Sequence, residues 1–253
     1  DVGRECVRDE VLSDDMGGTR AKVCVIDEGR PQTARTVEVD RKYRFTKGSG
    51  SPRRIPVIEM VEIGAGGGSS ARVDAMRRIN VGPDSAGAQP GPACYDQGGT
   101  APTVTDADLV LGRIDPNDFA GGSVQLAADK ADQAVVESVG EPLNIDRQLA
   151  AFGVGEVVDE NMANAARVHA VERGKELADR AMVAFGGAAP LHAARLAEKL
   201  AIDTVVVPTG AGVGSAIGFL RAPVAYEVVQ SRYTRISDFD LDGVNGLLQA
   251  MQR

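Results

Sequence analysis

The chain has 253 residues, 43% of them hydrophobic and 25% charged, which is enough apolar material for one large globular domain or two modest ones. The formal net charge of −8 excludes nucleic acid or an anionic membrane as the main partner, so an anionic ligand must be met by backbone dipoles, a metal ion or a few basic side chains. The three cysteines, Cys6, Cys24 and Cys94, are widely spaced and form no Cys-x-x-Cys, which argues against a disulfide scaffold or zinc ribbon and for a reducing, cytoplasmic setting.

In chain order, the first feature is a glycine turn, Asp14-Asp15-Met16-Gly17-Gly18-Thr19, set directly before an apolar strand at 21 to 27. Within that strand Val23 and Val25 alternate with Cys24 and Ile26 across two faces. A turn at Asp27 to Pro31 leads to a partner strand at 33 to 39, and a basic patch follows with Lys47, Arg53 and Arg54. A third strand is predicted at 56 to 63, then another glycine loop from Gly64 to Ser70. Residues 80 to 105 are dense in Gly and Pro and read as irregular, and so long an irregular segment in a compact domain is more often functional than filler. Thr105 reads as the N-cap of a short helix at 106 to 111.

An acidic amphipathic helix is predicted at 126 to 139 and a long buried one from Asp146 to Arg173, ended by Gly174. The last third alternates strand and helix. A strand at 180 to 185 leads into Phe185-Gly186-Gly187-Ala188-Ala189-Pro190 and a helix at 190 to 200. A strand at 204 to 207 leads through Pro208 to Gly214 into a helix at 215 to 221. This alternation indicates parallel strands, and the early antiparallel pair makes the sheet mixed. The most apolar tract, Val205 to Leu220, is broken by Pro208 and several glycines and does not span a bilayer. The chain starts at Asp1 without Met and reads as a piece of a longer protein, and its polar tail from Ser237 reads as the start of a further element.

Gly-rich turns beside strands suit phosphate, because backbone N–H groups close on an anion only where no side chain intervenes. Neither turn fits the P-loop pattern or a G-x-G-x-x-G fingerprint. Asp15, at the end of a strand, is a candidate Mg²⁺ ligand with Gly17, Gly18 and Thr19 presenting donors to phosphate; the plain alternative is a tight hairpin with a capping Asp. Gly186 and Gly187 suit either a nucleotide laid against the backbone or close helix–strand packing, and Gly210, Gly212 and Gly214 leave the same choice. Lys22 reads as the solvated face of its strand. Asp74 and Asp106 are acid–base or metal candidates, or simply turn and cap residues. His192, near a helix N-terminus, is a candidate neutral hydrogen-bond donor to a ligand, or a packed core histidine.

Several stretches carry a family resemblance: D-M-G-G-T-R-A-K-V-C-V-I-D at 15 to 27, K-G-S-G-S-P-R-R-I-P-V-I-E-M-V-E-I-G-A-G-G-G-S at 47 to 69, V-G-P-D-S-A-G-A-Q-P-G-P-A-C-Y at 81 to 95, G-G-T-A-P-T-V-T-D-A-D-L-V-L-G-R-I-D-P at 98 to 116, N-M-A-N-A-A-R-V-H-A-V-E-R-G at 161 to 174, V-A-F-G-G-A-A-P-L-H-A at 183 to 193, and P-T-G-A-G-V-G-S-A-I-G-F-L at 208 to 220. Together, over residues 14 to 235, they resemble the large (A-type) subunit of the hydantoinase/oxoprolinase family, in its C-terminal half. The resemblance implies an RNase H-like mixed sheet with flanking helices, the second half of a two-lobed ATPase of the actin, sugar kinase and heat-shock ATPase superfamily. It implies a nucleotide-binding lobe at 1 to 235 with a Gly/Pro-rich insertion near 64 to 122, followed by a truncated element at 236 to 253.

By the same resemblance Asp15 is the catalytic and metal-holding carboxylate. Gly17, Gly18, Thr19, Gly186, Gly187 and Gly210 bind ATP with Mg²⁺, and Gly67, Asp74 and His192 lie on the substrate side. The implied partner is a second large (B-type) subunit, and the implied activity is ATP-dependent opening of a cyclic amide such as a hydantoin or 5-oxoproline. ATP-dependent carboxylation of a ketone and a non-catalytic nucleotide-binding half are the alternatives. Two positions depart from the family pattern: Arg20 where a small residue is usual, and Ala189 where glycine is usual, a cost of about 1 kcal/mol if that residue must adopt positive φ.

Overall fold

Six strands form the main sheet: β1 (Val11–Met16), β2 (Ala21–Asp27), β3 (Arg30–Pro31), β4 (Val61–Ile63) and, much later in the chain, β7 (Ala181–Phe185) and β8 (Thr204–Val206). Between them β5 (Ser69–Val73) and β6 (Ile79–Ser85) make a separate antiparallel hairpin. These elements come from a computed structural model that describes residues 8–39, 48–224, 226 and 228–251. Cys6 and Lys47, singled out in the sequence, lie outside the described residues.

The strand order is β8–β7–β1–β2, with β3 and β4 both paired to the far edge of β2. β1, β7 and β8 are parallel, while β2 is antiparallel to β1, β3 and β4. This is the RNase H-like mixed sheet that the resemblance implies. Of its central strand, β1, the sequence reading places only the end, at Asp15, because Ser13, Asp14 and Asp15 interrupt the apolar pattern that would give its extent.

The helices are α1 (Val104–Val110), α2 (Ala128–Val135), α3 (Arg147–Glu172), α4 (Ala189–Leu200), α5 (Gly214–Arg221) and α6 (Leu241–Met251). α3 opens on Asp146, whose side chain accepts the Leu149 N–H at 2.8 Å, and closes before Gly174 at φ +62°. Its buried face is built of Ala150, Ala151, Val154, Val158, Met162, Ala163 and Ala166. These small side chains let it pack against β2 and β4 of the sheet, β6 of the hairpin, and α1 and α4. Leu12, Met16, Val23, Met182 and Leu196 complete the core between sheet and helices.

Five predicted elements change. The strand at 33 to 39 breaks into Thr33–Ala34, paired with Val57–Ile58, and Val37–Val39, paired with Ser51–Arg53. Pro31 has no N–H to extend the β2 ladder, so the chain leaves the main sheet there. The strand at 56 to 63 is correspondingly divided. The irregular region begins later than residue 80, since 79 to 85 is β6, bulged between Val81 and Ser85 around Gly82 and Pro83. The helix predicted to start at 106 starts at Val104, capped by Thr103 and not Thr105. Finally, the helix at 126 to 139 is α2 followed by a π turn at Val136–Gly140.

Contacts divide the chain into Asp1–Ile217, which holds the main sheet, and Gly218–Arg253. The expected boundary near 235 falls inside the second unit. In that unit Asp240 caps α6, accepting the Gly243 N–H at 2.9 Å and pairing with Arg232 at 2.9 Å.

Candidate functional site: four turns around Asp15

Strand alternation sends Leu12, Asp14 and Met16 to one face of the sheet and Ser13 and Asp15 to the other. The first three are completely buried, and Asp15 is half-buried. Asp15 stands opposite Lys22 of β2 and beside Phe185 of β7, and Lys22 stands opposite Glu62 of β4. A carboxylate and an ammonium therefore share the face at the end of the central strands. Asp15 Oδ2 accepts a hydrogen bond from Ser215 Oγ at 2.8 Å. Lys22 is exposed, and no ion pair holds it among the described residues.

The two turns predicted from sequence lie against each other. The Ala188 N–H donates to Met16 O at 2.9 Å, joining the second turn to the end of β1. Gly186 has φ +95°, and a Cβ there would stand 2.5 Å from Met16 O and 2.7 Å from Asp15 Oδ1, so no other residue fits. The loop at 64 to 69 stacks on the first turn: Gly67 N donates to Gly17 O at 3.0 Å and Gly68 N to Gly18 O at 2.6 Å. A Cβ on Gly66 would lie 2.6 Å from Thr19 N. Gly210 opens the fourth turn, which is tied to the second by Gly186 N donating to Ala211 O at 2.8 Å. Gly18 and Gly187 are different, since nothing lies within 4 Å of where a Cβ would stand. Their outer side is open.

Both departures from the family pattern are accommodated. Arg20 is exposed and forms an ion pair with Glu62 at 2.6 Å. Ala189 is the first residue of α4, and the positive φ of that turn falls on Gly186, so the expected strain does not arise.

The three residues expected on the substrate side do not come together in the structure. Gly67 is buried beneath the first turn, its carbonyl accepting both the N–H and the hydroxyl of Thr105, at 2.8 and 2.9 Å. Asp74 organises the β5–β6 turn, accepting from Met76 N, Arg78 N and Arg78 Nε at 2.9 Å each and from Asn80 at 3.1 Å. Those donors, the Arg78 backbone first, hold its carboxyl down at about 2. His192 is completely buried, its Nδ1 2.7 Å from Asp159 and its Nε2 3.1 Å from Asp108. Burial pushes the imidazole pKa down, but hydrogen bonds donated to the two carboxylates outweigh this and raise it to about 9. Both ring nitrogens thus donate, as in an imidazolium, and the neutral donor read from the helix N-terminus is replaced by a buried cation.

Sequence reasoning missed this Asp108–His192–Asp159 bridge. It lies below the site and joins α1, α3 and α4, with Arg113 closing on Asp108 at 3.0 Å. Asp14 lies near it with both carboxylate oxygens unpartnered among the described residues. Burial pushes Asp14 up to about 7, opposed by His192 and reinforced by Asp15 and Asp159. The signal was available: Asp159 sits between Val158 and Met162 on the buried face of α3. The cysteines take no part, because Cys24 and Cys94 are buried and burial pushes both thiols up, Cys24 to about 11.

Among the described residues no three His, Cys, Asp or Glu side chains are placed to hold a metal. A lone carboxylate beside backbone donors is instead the arrangement for Mg²⁺ held mainly through phosphate and water. No helix of the described residues is long and apolar enough to cross a membrane.

Comparison with known proteins gives the family and the fold. Residues 2–228 match the hydantoinase/oxoprolinase family. The chain is 36% identical over 246 residues to caprolactamase subunit alpha of Pseudomonas jessenii, covering 96% of this chain and 34% of that protein. It is 39% identical over 223 residues to the acetophenone carboxylase gamma subunit of Aromatoleum aromaticum, covering 88% of this chain and 29% of that one. The crystal structure of ATP-dependent caprolactamase from Pseudomonas jessenii matches with a TM-score of 0.76 at 33% identity, over 99% of this chain and 35% of that chain. The chain spans about a third of the length of these relatives. On its matched extent and on its fold, it belongs to the hydantoinase/oxoprolinase family.

Proposed function

We propose that this chain is the ATP-binding lobe of an enzyme that opens cyclic amides. In this reading Gly17, Gly18 and Thr19 offer donors to the phosphates, Gly186 and Gly187 receive the nucleoside side, and Gly210 supports them from behind. Asp15 holds Mg²⁺, which supplies charge neutralisation for the transferred phosphoryl group. Lys22 shares the face and adds a positive charge for the same phosphates. The γ-phosphoryl group passes to the amide oxygen of the substrate, releasing ADP. Water then adds to the activated carbon, the ring C–N bond breaks with a proton passing to the departing nitrogen, and a second water cleaves the resulting acyl phosphate to carboxylate and inorganic phosphate.

One observation carries the reading: two glycine turns far apart in sequence abut at the end of β1, with Asp15 between them and the outer sides of Gly18 and Gly187 open. The relatives named above support ATP dependence and a heteromeric assembly, in which we propose a second large subunit as the partner. Carboxylation of a ketone is the second reading, supported by the 39% identity to an acetophenone carboxylase subunit.

The test has two stages. Calorimetric titration of the chain with AMP-PNP and MgCl₂ is expected to show saturable binding that Asp15→Asn weakens; a folded chain that takes up no nucleotide overturns the proposal. ATP hydrolysis by the full-length complex, stimulated by hydantoins, lactams or 5-oxoproline, supports the amide reading. Stimulation by a ketone with bicarbonate alone supports the second.

A further inference from the structure

We infer that Ser215 is a positioning residue for Asp15, fixing the carboxylate in the orientation from which it takes a divalent cation; the inference rests on the ATP-site reading above. Ser215 is the second residue of α5, and its hydroxyl donates to Asp15 Oδ2 at 2.8 Å across 200 residues of sequence. The start of that helix is held in place from two directions. A Cβ on Gly214 would stand 3.0 Å from the ring of Phe185, so helix backbone lies directly on that ring. Phe185 is itself paired in register with Asp15. The turn before the helix is tied through Ala211 O to Gly186 N at 2.8 Å. The hydroxyl is thus set by the same sheet rung and the same turn that set the carboxylate.

The consequence is directional. The Ser215 hydroxyl takes one lone pair of Oδ2 and stops rotation about the Asp15 χ2 bond. Among the described residues Oδ1 has no hydrogen-bond partner, and it lies 2.7 Å from where a Cβ on Gly186 would stand. A carboxylate fixed in this way binds a cation without first losing rotational freedom. The turn at 208 to 214, which the sequence left between packing and ligand contact, then acts on the cation through Ser215.

The test is calorimetric titration of Mg²⁺ into the full chain saturated with AMP-PNP, for wild type, Ser215→Ala, Ser215→Thr and Asp15→Asn, with melting temperatures in parallel. The expected result is that Ser215→Ala raises the half-saturating Mg²⁺ concentration about tenfold. AMP-PNP affinity without Mg²⁺ and the melting temperature stay unchanged, and Ser215→Thr restores the wild-type Mg²⁺ dependence. A merely structural role would move the melting temperature and Mg²⁺-free binding together. If Ser215→Ala keeps the wild-type Mg²⁺ dependence while Asp15→Asn loses it, the inference is wrong and the ATP-site reading stands. If Asp15→Asn also keeps it, both are overturned.

Discussion

Asp14 and Asp15 are consecutive in sequence and face opposite sides of the central strand. Asp14 is completely buried with both oxygens unpartnered, and Asp15 is half-buried and bonded to Ser215. Only Asp15 lies on the face that carries Lys22 and the open turns. Asp15→Asn is therefore expected to weaken Mg²⁺-dependent AMP-PNP binding at least about tenfold, or about 1.4 kcal/mol. Asp14→Asn is expected to leave that dependence intact. Parallel titrations of the two variants check this, and equal losses would show that strand alternation does not separate their roles.

The buried bridge sets the pH dependence of stability. His192 is faced by Asp108 of α1, which is paired with Arg113, by Asp159 of α3 and by Asp14 of β1. Its folded pKa, about 9, lies above the ordinary 6.5, so the folded state binds the proton more tightly. The resulting stabilisation, on the order of 3 kcal/mol, is complete below about pH 6.5 and is lost as pH rises through about 9. Asp14, pushed up to about 7, completes most of its own titration lower in the range. Urea midpoints between pH 7.5 and 9.5 are expected to fall for wild type and to stay level for His192→Gln. That variant should be less stable by roughly 3–5 kcal/mol at pH 6.5, because it leaves buried Asp159 without a cation while Asp108 keeps only Arg113. A level wild-type profile would contradict the assignment of a buried imidazolium.

The turns and the α/β alternation were legible in the sequence because glycine doublets and apolar runs such as Met182-Val183-Ala184 leave local traces. Of β1 only the end at Asp15 was, since a central strand carrying two carboxylates breaks the apolar pattern that strand prediction depends on. The β5–β6 hairpin was hidden by Gly82 and Pro83, which sit at a bulge inside a strand. Thr103 and Thr105 both resemble caps, and the choice depends on which threonine stands three residues before the acid that completes the capping box, Asp106. The resemblance supplied the nucleotide loops but not their neighbours. Ser215, Asp108 and Asp159 come to their partners only through the register of β1 and β7 and the packing of α3 on α4, which no local pattern encodes.

Gly18 and Gly66 lie on opposite sides of the same backbone. A Cβ on Gly66 would meet Thr19 N at 2.6 Å and Gly18 O at 2.7 Å, whereas a Cβ on Gly18 meets nothing within 4 Å. Gly66→Ala is thus expected to force the stacked loops apart at about 1–3 kcal/mol. Gly18→Ala should leave the melting temperature unchanged and reduce AMP-PNP affinity by placing a methyl group on the phosphate side. Thermal melts with calorimetry on both variants separate fold from site. Full nucleotide affinity in Gly18→Ala would move the phosphates away from the first turn.

Asp106 gives order to the Gly/Pro-rich segment. Its carboxylate is completely buried and accepts the Thr103 N–H and hydroxyl at 2.8 Å each, completing the α1 capping box with Thr103. It also accepts the N–H groups of Ala93 and Cys94 at 3.1 and 2.8 Å, and so ties a single helical turn at Ala93–Tyr95 to the helix start. One helix residue later, Thr105 supports Gly67 beneath the first turn, so the cap and the site share a support. Asp106→Ala removes the cap and strands buried donors, and a loss of at least about 3 kcal/mol is expected. Asp106→Asn keeps one acceptor oxygen and should recover part of it. Amide hydrogen exchange is the decisive measurement: Ala93 and Cys94 should lose protection in the alanine variant before α3 does. Unchanged exchange at those two amides would mean that the segment is ordered by its own packing and not by the carboxylate.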